Sequence, residues 1–524
     1  MINKIIRLLL AFIILCVPVS LHAAEAVEEP GLLDTVRKKV AKISEAERKR
    51  IAFLSISPAG LSINGDESAM AEVLAAAGIP LRAGTAGPAP LTLEKWQIFK
   101  PEMVIGRSSE MTAIRDFLNQ AGWRDVPAVQ AGGFRGFPDK LIGLADEYPG
   151  YLASWLAGSL YAVEFSRPEN LVHPQEVIAK RPLALDMPYV AEADIVDSRI
   201  MDFTHRSLVI KFKSPQTVIS TADGPMEKAL AVGNSYGPPS IWDIYHQIGY
   251  DNAHKLLFEI LGLPFGRASI LSTGADLNNL VVESREFQGL TVTALVTAGV
   301  ESNAVRAAKD EGAWFEEPGT IHVIIMTNRH LSPRAATRAL ITVTEAKTAA
   351  LWDMDIRSSQ TPLANPATGT GTDDIIIVAG EGPVLTFSGA HTKLGQLMSE
   401  AVYAGVQQAI LNQNGKTPVR DVKTRLAERG LSYPELEELM TRPDCRALME
   451  AAFSLSDARQ TGQFSGESCF TAWAERVASD VAGKPVDKIE KIIAGQDLPP
   501  ILDTALNALA TGHKYRQNQT EPKK

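Results

Sequence analysis

The stretch Ala367-Thr368-Gly369-Thr370-Gly371-Thr372-Asp373-Asp374-Ile375-Ile376-Ile377-Val378 decides the fold of the central part of the chain. Alternating threonine and glycine cannot pack a core or hold a helix, because each glycine loses much conformational freedom when it is ordered. Such a loop can bring backbone N–H groups and small hydroxyls close to a ligand. The β-branched run that follows predicts a buried strand. The sequence therefore predicts a ligand-binding loop mounted on a rigid strand.

The segments on either side of this stretch extend the same pattern. Residues 319–328 form a second apolar, β-branched run, which predicts another buried strand. Ser332-Pro333 is a helix start, with a good N-cap and a proline in the first turn, and the helix is expected to end near Trp352. A last helix is expected after Gly395, through Gln408. Strands that alternate with helices predict a mixed α/β domain.

Seven short motifs in this region occur in one order. They are Thr297-Ala298-Gly299-Val300 with Asn303-Ala304, Gly319-Thr320, Leu331-Ser332-Pro333, Thr344-Glu345-Ala346-Lys347-Thr348-Ala349-Ala350, Asp355-Ile356-Arg357-Ser358-Ser359, the ATGTGTD loop and His391-Thr392-Lys393-Leu394-Gly395. Together they resemble the adenosylcobinamide amidohydrolase family, from about residue 207 to 410. The resemblance implies a domain at 200–412 that hydrolyses the amide between the corrin propionate and aminopropanol, giving adenosylcobyric acid for corrinoid salvage. It implies no required cofactor, since the cobalt-containing corrinoid is the substrate.

The candidate catalytic bases are His391, Asp373 and Glu345. His391 follows Gly389 in a loop, where an imidazole can move protons near neutral pH, although a helix-capping role is the alternative. Asp373 ends the glycine-rich loop, where it could equally stabilise a turn. Glu345 and Lys347 lie in the middle of a helix, where charged residues usually form only the solvent-exposed face. Only the resemblance indicates a functional role for these two residues.

Hydrolysis of an unactivated amide needs a nucleophile or activated water, a proton donor for the amine and donors for the oxyanion. The sequence has no HExxH zinc helix. Water activated by a side chain is the leading mechanism, and a threonine nucleophile from the loop is the second. The loop amides could hold the oxyanion or only make the turn. The residues expected to bind substrate are Asn303, Asn328, Lys347, Arg357, Thr368, Gly369, Thr370, Gly371, Thr372 and Lys393.

The first residues, 1–24, read as a signal peptide. Lys4 and Arg7 precede an apolar run, Leu8–Val17, and Ala23-Ala24 offers a small-residue cleavage point. The run is too short for an ordinary membrane span, so an uncleaved anchor is the less favoured alternative. We therefore expect an exported, periplasmic protein that meets the membrane only through this signal.

Composition excludes some functions. The 524 residues are 45% hydrophobic and 22% charged, which is enough apolar material for two or three cores. The net charge of -9 argues against a nucleic-acid partner. In an exported chain, Cys445 and Cys469 are expected to form one disulfide, because the compartment is oxidising. A redox pair is the less favoured alternative, since their spacing resembles no CxxC motif. Cysteine and histidine spacings typical of metal sites are absent.

Alternating strands and helices from residue 49 to 175 predict a parallel α/β lobe. Leu91–Trp96, Lys100–Ile105, Trp123–Val129 and Tyr148-Pro149-Gly150 resemble class III periplasmic binding proteins for cobalamin, haem and siderophores. The resemblance covers only the second of their two lobes, and a generic α/β scaffold is the alternative. It implies a second function hypothesis, a non-catalytic corrinoid carrier that delivers its ligand to a cobalamin-type ABC transporter.

The remaining segments are less informative. Leu208–Phe212 and Thr217–Ser220 predict two strands joined by a hairpin at Ser214-Pro215. Residues 413–511 predict a helical region, and the polar tail 512–524 is expected to be disordered. The fold expected overall is α/β, with an N-terminal lobe, a central mixed α/β domain and C-terminal helices.

Overall fold

The computed structural model describes residues 30–66, 68–80, 83–312, 320–493 and 497–520, so the predicted signal peptide at 1–24 lies outside the described residues. The chain divides into two compact units. The described part of the N-terminal unit is 30–215 with 228–277, and that of the C-terminal unit is 216–227 with 278–520. The domain bounds expected from the sequence stay predictions, and these compact units group the chain differently.

A three-stranded parallel sheet forms the first part of the N-terminal unit, as the sequence predicted. Its order is β1-β5-β6, and the antiparallel strands β2-β3-β4 form a second small sheet. The strands are β1 Ile51–Phe53, β2 Ser55–Ser57, β3 Gly60–Ile63, β4 Ala89–Pro90, β5 Met103–Arg107 and β6 Phe134–Phe137. The helices of this unit are α1 Leu32–Ala41, α2 Ala69–Ala76, α3 Leu93–Phe99, α4 Met111–Leu118, α5 Pro127–Gln130, α6 Asp139–Ile142, α7 Pro149–Leu160, α8 Ala162–Phe165, α9 Pro239–Ile248 and α10 Tyr250–Leu261.

Helix α7 shows why these residues form a core. It starts with proline in its first turn, and Leu152, Leu156 and Leu160 recur at helical spacing on one face. All three leucines are buried among residues of α1, α2 and α9. Burial of one such side chain stabilises a fold by about 1.5–3 kcal/mol.

Longer strands follow in the N-terminal unit. They are β7 Glu176–Pro182, β8 Val190–Ile200, β9 Phe203–Ser220, β10 Gly224–Tyr236 and β11 Ala268–Thr273. The end of β9 and the start of β10 belong to the C-terminal unit. The predicted hairpin at Ser214-Pro215 is wrong, because β9 runs through both residues as one strand. Proline is tolerated there because the pairing of β8 with β9 ends at Phe212. No N–H group of residue 215 is therefore needed for a hydrogen bond to β8.

The C-terminal unit is built on the strands that the sequence singled out. The end of β9 pairs antiparallel with β18, β18 pairs parallel with β15, and β15 and β12 flank β13 in antiparallel pairing. The strands are β12 Val281–Phe287, β13 Leu290–Ala298, β14 Ala304–Val305, β15 Ile321–Thr327, β16 His330–Leu331, β17 Gly369–Thr370, β18 Asp374–Val378 and β19 Val384–Leu385. The run Ile375–Val378 is buried throughout, which is typical of a strand covered on both faces.

Two long helices, α11 Pro333–Asp353 and α12 Lys393–Asn414, pack on this sheet. The predicted start of α11 is confirmed, since the Ser332 side chain accepts a hydrogen bond from the Ala335 N–H. The buried stripe of α11 consists largely of alanine, which lets the helix axis lie close to the strands. Its members are Ala335, Ala339, Val343, Ala346 and Ala350.

Five helices with a core of their own follow within the C-terminal unit. They are α13 Val422–Ala427, α14 Glu437–Met440, α15 Pro443–Gln460, α16 Glu467–Ala482 and α17 Pro500–Thr520. The expected disorder from residue 512 is wrong as far as Thr520, because α17 continues to that residue. The apolar first half of α17 is buried in the helical core, and the helix continues from it without a break through the polar second half.

The predicted disulfide between Cys445 and Cys469 is not formed. Both are free thiols, with Cys445 buried in α15 and Cys469 exposed on α16. A disulfide needs Cα atoms within about 7 Å, and the presence of two cysteines in a sequence says nothing about that distance. Burial raises the pKa of the Cys445 thiol to about 12, so it behaves as a core side chain.

Candidate active site

The glycine-rich loop is held in front of β18 by a short antiparallel pair. Strand β17 pairs with β14, so that Gly369 lies opposite Val305 and Thr370 opposite Ala304. The Gly371 N–H donates to the backbone carbonyl of Asn303 at 3.0 Å. The loop is therefore a fixed structure, as a preorganised site requires, and the Gly371 N–H is already used inside it.

Asp373 organises the loop around its carboxylate. The Thr370 N–H lies 3.1 Å from each carboxylate oxygen, and the Thr370 hydroxyl donates to Oδ1 at 2.7 Å. The Lys347 ammonium forms an ion pair with Oδ2, and the two side chains are only 6% and 15% exposed. We call Lys347, Gly369, Thr370 and Asp373 the Lys347–Asp373 cluster.

The cluster explains why residue 369 is glycine. A Cβ at this position would lie 2.6 Å from Lys347 Nζ, and closer still to the Asp373 carboxylate. Real Cβ atoms essentially never approach other atoms this closely. In contrast, a Cβ at Gly371 would meet nothing within 4 Å. The first glycine therefore lets the ion pair form, and the second is not sterically required.

The neighbouring polar groups of the loop are also bonded. The Thr368 hydroxyl accepts from the Ala307 N–H at 3.0 Å, and the Thr368 carbonyl accepts from the Thr348 hydroxyl at 2.9 Å. The Asn303 side-chain oxygen accepts from the Thr320 hydroxyl at 2.7 Å. The Thr370 hydroxyl, by contrast with that of Thr368, donates to a carboxylate, which is the arrangement that activates a nucleophile.

A second polar group lies beside the cluster. Strand pairing places His322 of β15 opposite Asp374, with 3.7 Å between His322 Nε2 and Asp374 Oδ2. Asp374 also accepts from the Thr221 hydroxyl at 2.6 Å. Burial lowers the pKa of His322 to about 3, so its ring is neutral at neutral pH. Sequence reasoning missed this group, because only the parallel register of β15 and β18 brings its members together.

The structure does not bring the three predicted bases together. Glu345 is exposed on α11, on the side away from the buried Lys347. His391 is exposed in the loop before α12, whose cap is Thr392 rather than His391. In the described part of the chain, no hydrogen bond or ion pair joins His391 or Glu345 to Asp373.

Two predicted substrate-binding residues are bonded within the fold. Asn328 closes the turn between β12 and β13, with Oδ1 accepting from the Thr291 N–H at 2.9 Å and Nδ2 donating to the Gly289 carbonyl at 3.0 Å. The Arg357 side chain is 3% exposed and pairs with Asp355 and with both oxygens of Asp457 at 2.9–3.1 Å.

Lys393, by contrast, lies on the surface at the first position of α12. Its ammonium donates to the Gln396 side chain at 2.7 Å and lies 4.4 Å from the centre of the Phe287 ring. Asn328, Arg357 and Lys393 thus lie outside the Lys347–Asp373 cluster, and their proposed contact with substrate stays a prediction.

A separate cleft of about 670 Å³ lies at the start of α11. His391 adjoins it, since Gly389 and Thr392 are among the lining residues. Sequence reasoning missed this cleft because its charged members are ordinary exposed helix residues. The lining consists of Pro333, Arg334, Thr337, Arg338, Ile341, Thr386, Phe387, Ser388, Gly389 and Thr392.

The described residues contain no group of three His, Cys, Asp or Glu side chains placed to hold a metal ion. None of the helices in the described ranges has the length and apolar character that a membrane span requires.

Comparison with known proteins identifies the segment that carries the cluster. A model of the adenosylcobinamide amidohydrolase family matches residues 189–418. An uncharacterised protein of Methanocaldococcus jannaschii is 35% identical over 226 residues, which are 40% of this chain and 87% of that protein. The chain belongs to the adenosylcobinamide amidohydrolase family. The resemblance found in the sequence motifs is confirmed.

Two other matches cover a smaller share of the proteins that they resemble. An adenosylcobinamide amidohydrolase of Methanosarcina mazei is 30% identical over 150 residues, which are 27% of this chain and 64% of that protein. Among solved structures, a periplasmic haem-binding protein from Roseiflexus sp. RS-1 matches with 19% identity and a TM-score of 0.22. That match covers 26% of this chain and 53% of the haem-binding protein, so the chain spans about half its length. A match with a TM-score this low does not support any conclusion about function.

Proposed function

We propose that the protein hydrolyses the amide that joins the corrin propionate to aminopropanol in adenosylcobinamide, giving adenosylcobyric acid for corrinoid salvage. The observation that supports this is membership of the adenosylcobinamide amidohydrolase family through residues 189–418. In the reaction a water oxygen adds to the carbonyl carbon, the C–N bond breaks, and the amine leaves with a proton. No redox step or co-reactant besides water is needed, and we propose that no cofactor is required.

We place the chemistry in the Lys347–Asp373 cluster. Asp373 is the candidate base that already accepts a hydroxyl hydrogen bond, from Thr370 at 2.7 Å. The Lys347 ammonium beside it can stabilise negative charge on the tetrahedral intermediate and supply the proton that the departing amine needs. His391 and Glu345 remain candidates, to be tested beside Asp373.

Two routes fit this arrangement. In the first, Asp373 removes a proton from a water that attacks the amide directly. In the second, Asp373 removes the proton of Thr370, whose oxygen attacks the amide carbon; the C–N bond breaks, aminopropanol leaves with a proton from Lys347, and the corrin propionate is left as an ester of Thr370. Water then hydrolyses this ester. Rapid quenching followed by mass spectrometry of the peptide that contains Thr370 separates the routes, since only the second adds the corrinoid acyl group to it.

The place of action is part of the proposal. The charged start, short apolar run and Ala23-Ala24 of the first 24 residues support export and a periplasmic location, where the substrate would be met before import. Cell fractionation with N-terminal sequencing of the recovered protein tests this. A new N-terminus close to residue 25 in the periplasmic fraction is expected, and an intact N-terminus in the cytoplasm would contradict it.

The activity is tested by incubating the protein with adenosylcobinamide and quantifying released aminopropanol and adenosylcobyric acid by mass spectrometry. Many product molecules per chain are expected. Asp373→Asn should lower kcat by at least about a hundredfold. Tight corrinoid binding without amine release would refute the hydrolase and favour the carrier that delivers corrinoid to an ABC transporter.

A further inference from the structure

An arginine and a tryptophan form a stacked pair near the end of α11. Trp352 is 48% exposed, which is unusual for so large an apolar side chain. The Arg306 guanidinium lies over its ring, 4.8 Å from the ring centre. Such stacking keeps the arginine in place and leaves much of the indole open to solvent.

This pair lies directly beside the Lys347–Asp373 cluster. Arg306 follows β14, which pairs with Gly369 and Thr370. The next residue, Ala307, donates its N–H to the Thr368 hydroxyl at 3.0 Å. On α11, Thr348 is one helical turn before Trp352 and donates to the Thr368 carbonyl at 2.9 Å. Both members of the pair are thus attached to the loop that carries the proposed chemistry.

The guanidinium of Arg306 also has an unused donor. Its Nη1 atom is buried, and no hydrogen-bond partner for it occurs among the described residues. Buried side-chain donors nearly always have a partner, and one that lacks it calls for an explanation. Arg306 as a whole is only half-buried, and a guanidinium carries five N–H donors in a fixed plane, so the side chain has donors besides Nη1 for a ligand acceptor beside the loop.

We propose that Trp352 and Arg306 form the platform that receives the corrin macrocycle of the substrate. A corrin is a broad, nearly planar ring with apolar faces and amide groups on its rim. The exposed indole offers a surface for a ring face, and the Arg306 guanidinium beside it offers a donor for a rim amide oxygen. This inference rests on the proposed function, because the corrinoid is the proposed substrate, and it assigns two positioning residues that hold the macrocycle while the cluster acts on its side chain.

The same helix offers a matched control. At its start, the Arg334 guanidinium lies 4.7 Å from the centre of the Phe387 ring, and Phe387 is 57% exposed. This second pair has the same chemistry and similar exposure, and in the part of the chain that the structure describes no hydrogen bond or ion pair joins it to the glycine-rich loop. Substitutions of the two pairs therefore compare an arginine–aromatic contact beside the cluster with one away from it.

The test compares steady-state kinetics of the full chain and its variants with adenosylcobinamide. Trp352→Ala and Arg306→Ala should each raise KM about tenfold with kcat within about twofold, as expected for lost stacking and one lost hydrogen bond. Trp352→Phe should recover most of the affinity, whereas Phe387→Ala should leave KM unchanged. Unchanged KM in both alanine variants, or an equal rise in Phe387→Ala, would overturn the proposal.

A binding measurement separates this proposal from the proposed function. If the native protein releases no aminopropanol, the hydrolase fails, and equilibrium dialysis with cobinamide then tests the platform alone. Weaker binding by Trp352→Ala than by Phe387→Ala supports the platform without catalysis. Equal binding by native protein, Trp352→Ala and Phe387→Ala, or no binding by the native protein, refutes it.

Discussion

Gly369→Ala is the substitution whose effect follows most directly from the geometry. The added methyl carbon would lie 2.6 Å from Lys347 Nζ and closer still to the Asp373 carboxylate. Neither atom can stay where it is, so the ion pair must open or the loop must move. The backbone of β17 cannot shift freely, because both its residues are paired with β14. We therefore expect the substitution to break the Lys347–Asp373 contact.

The magnitude can be worked from the groups involved. Breaking a buried ion pair costs about 3–5 kcal/mol, and a hydrogen bond to a charged group contributes about 1.5–3 kcal/mol. The long lysine side chain can turn partly toward solvent and recover some hydration, which brings the expected loss to about 3 kcal/mol. For a unit of this size each kcal/mol lowers Tm by about 2–4 °C, so a decrease of about 6–12 °C is expected.

Differential scanning calorimetry, with Gly371→Ala as the control, measures this effect. The control adds the same methyl group to the same loop, where nothing lies within 4 Å of it. It should leave Tm unchanged or raise it slightly, because alanine restricts the unfolded chain. If the two variants have equal Tm values, the account of the cluster as a tightly closed ion pair is wrong.

Three further predictions concern charge and thiols. Burial by itself would raise the pKa of Asp355, but the guanidinium groups of Arg429 and Arg357 bring it to about 2, from an ordinary 3.8. Asp355→Asn should therefore lower the free energy of unfolding by about 3 kcal/mol at pH 7. The difference between native protein and variant in calorimetry should shrink between about pH 4 and 2, because the native carboxylate becomes protonated there. A difference that is independent of pH would contradict this. Burial lowers the pKa of His322, so protonation of this residue in the unfolded chain should lower the free energy of unfolding by about 1.4 kcal/mol per pH unit below about pH 6.5. In urea titrations, His322→Asn should reduce this dependence of the free energy of unfolding on pH. The same dependence in both proteins would exclude a buried neutral ring. Iodoacetamide should label Cys469 in the folded protein and spare Cys445, and a reductant should leave Tm unchanged. If neither cysteine reacts with iodoacetamide until the protein is reduced, the two cysteines form a disulfide after all.

Local signals account for what the sequence predicted correctly. The cap and proline at Ser332-Pro333 set the start of α11, and the β-branched residues before and after the glycine-rich loop set β15 and β18. These features depend on residues close together in the chain. The order of the motifs also sufficed to identify the family, because each motif is short and continuous.

What the sequence left open depends on contacts between distant residues. Lys347 looked like a solvated helix charge, yet its side chain is 6% exposed because Asp373 neutralises it. Arg357 was expected to bind substrate, yet it pairs with Asp457, 100 residues further along the chain. The Arg306–Trp352 contact likewise has no local pattern, since its members come from a short strand's end and a helix's end.

The measurement that tests the central claim most directly is turnover of adenosylcobinamide in water enriched with oxygen-18, followed by mass spectrometry of the corrinoid product. Hydrolysis of the amide predicts adenosylcobyric acid carrying one heavy oxygen atom in the new carboxylate, together with an equal amount of free aminopropanol. Corrinoid recovered without label and without amine release would contradict the account, because no water would then have entered the substrate.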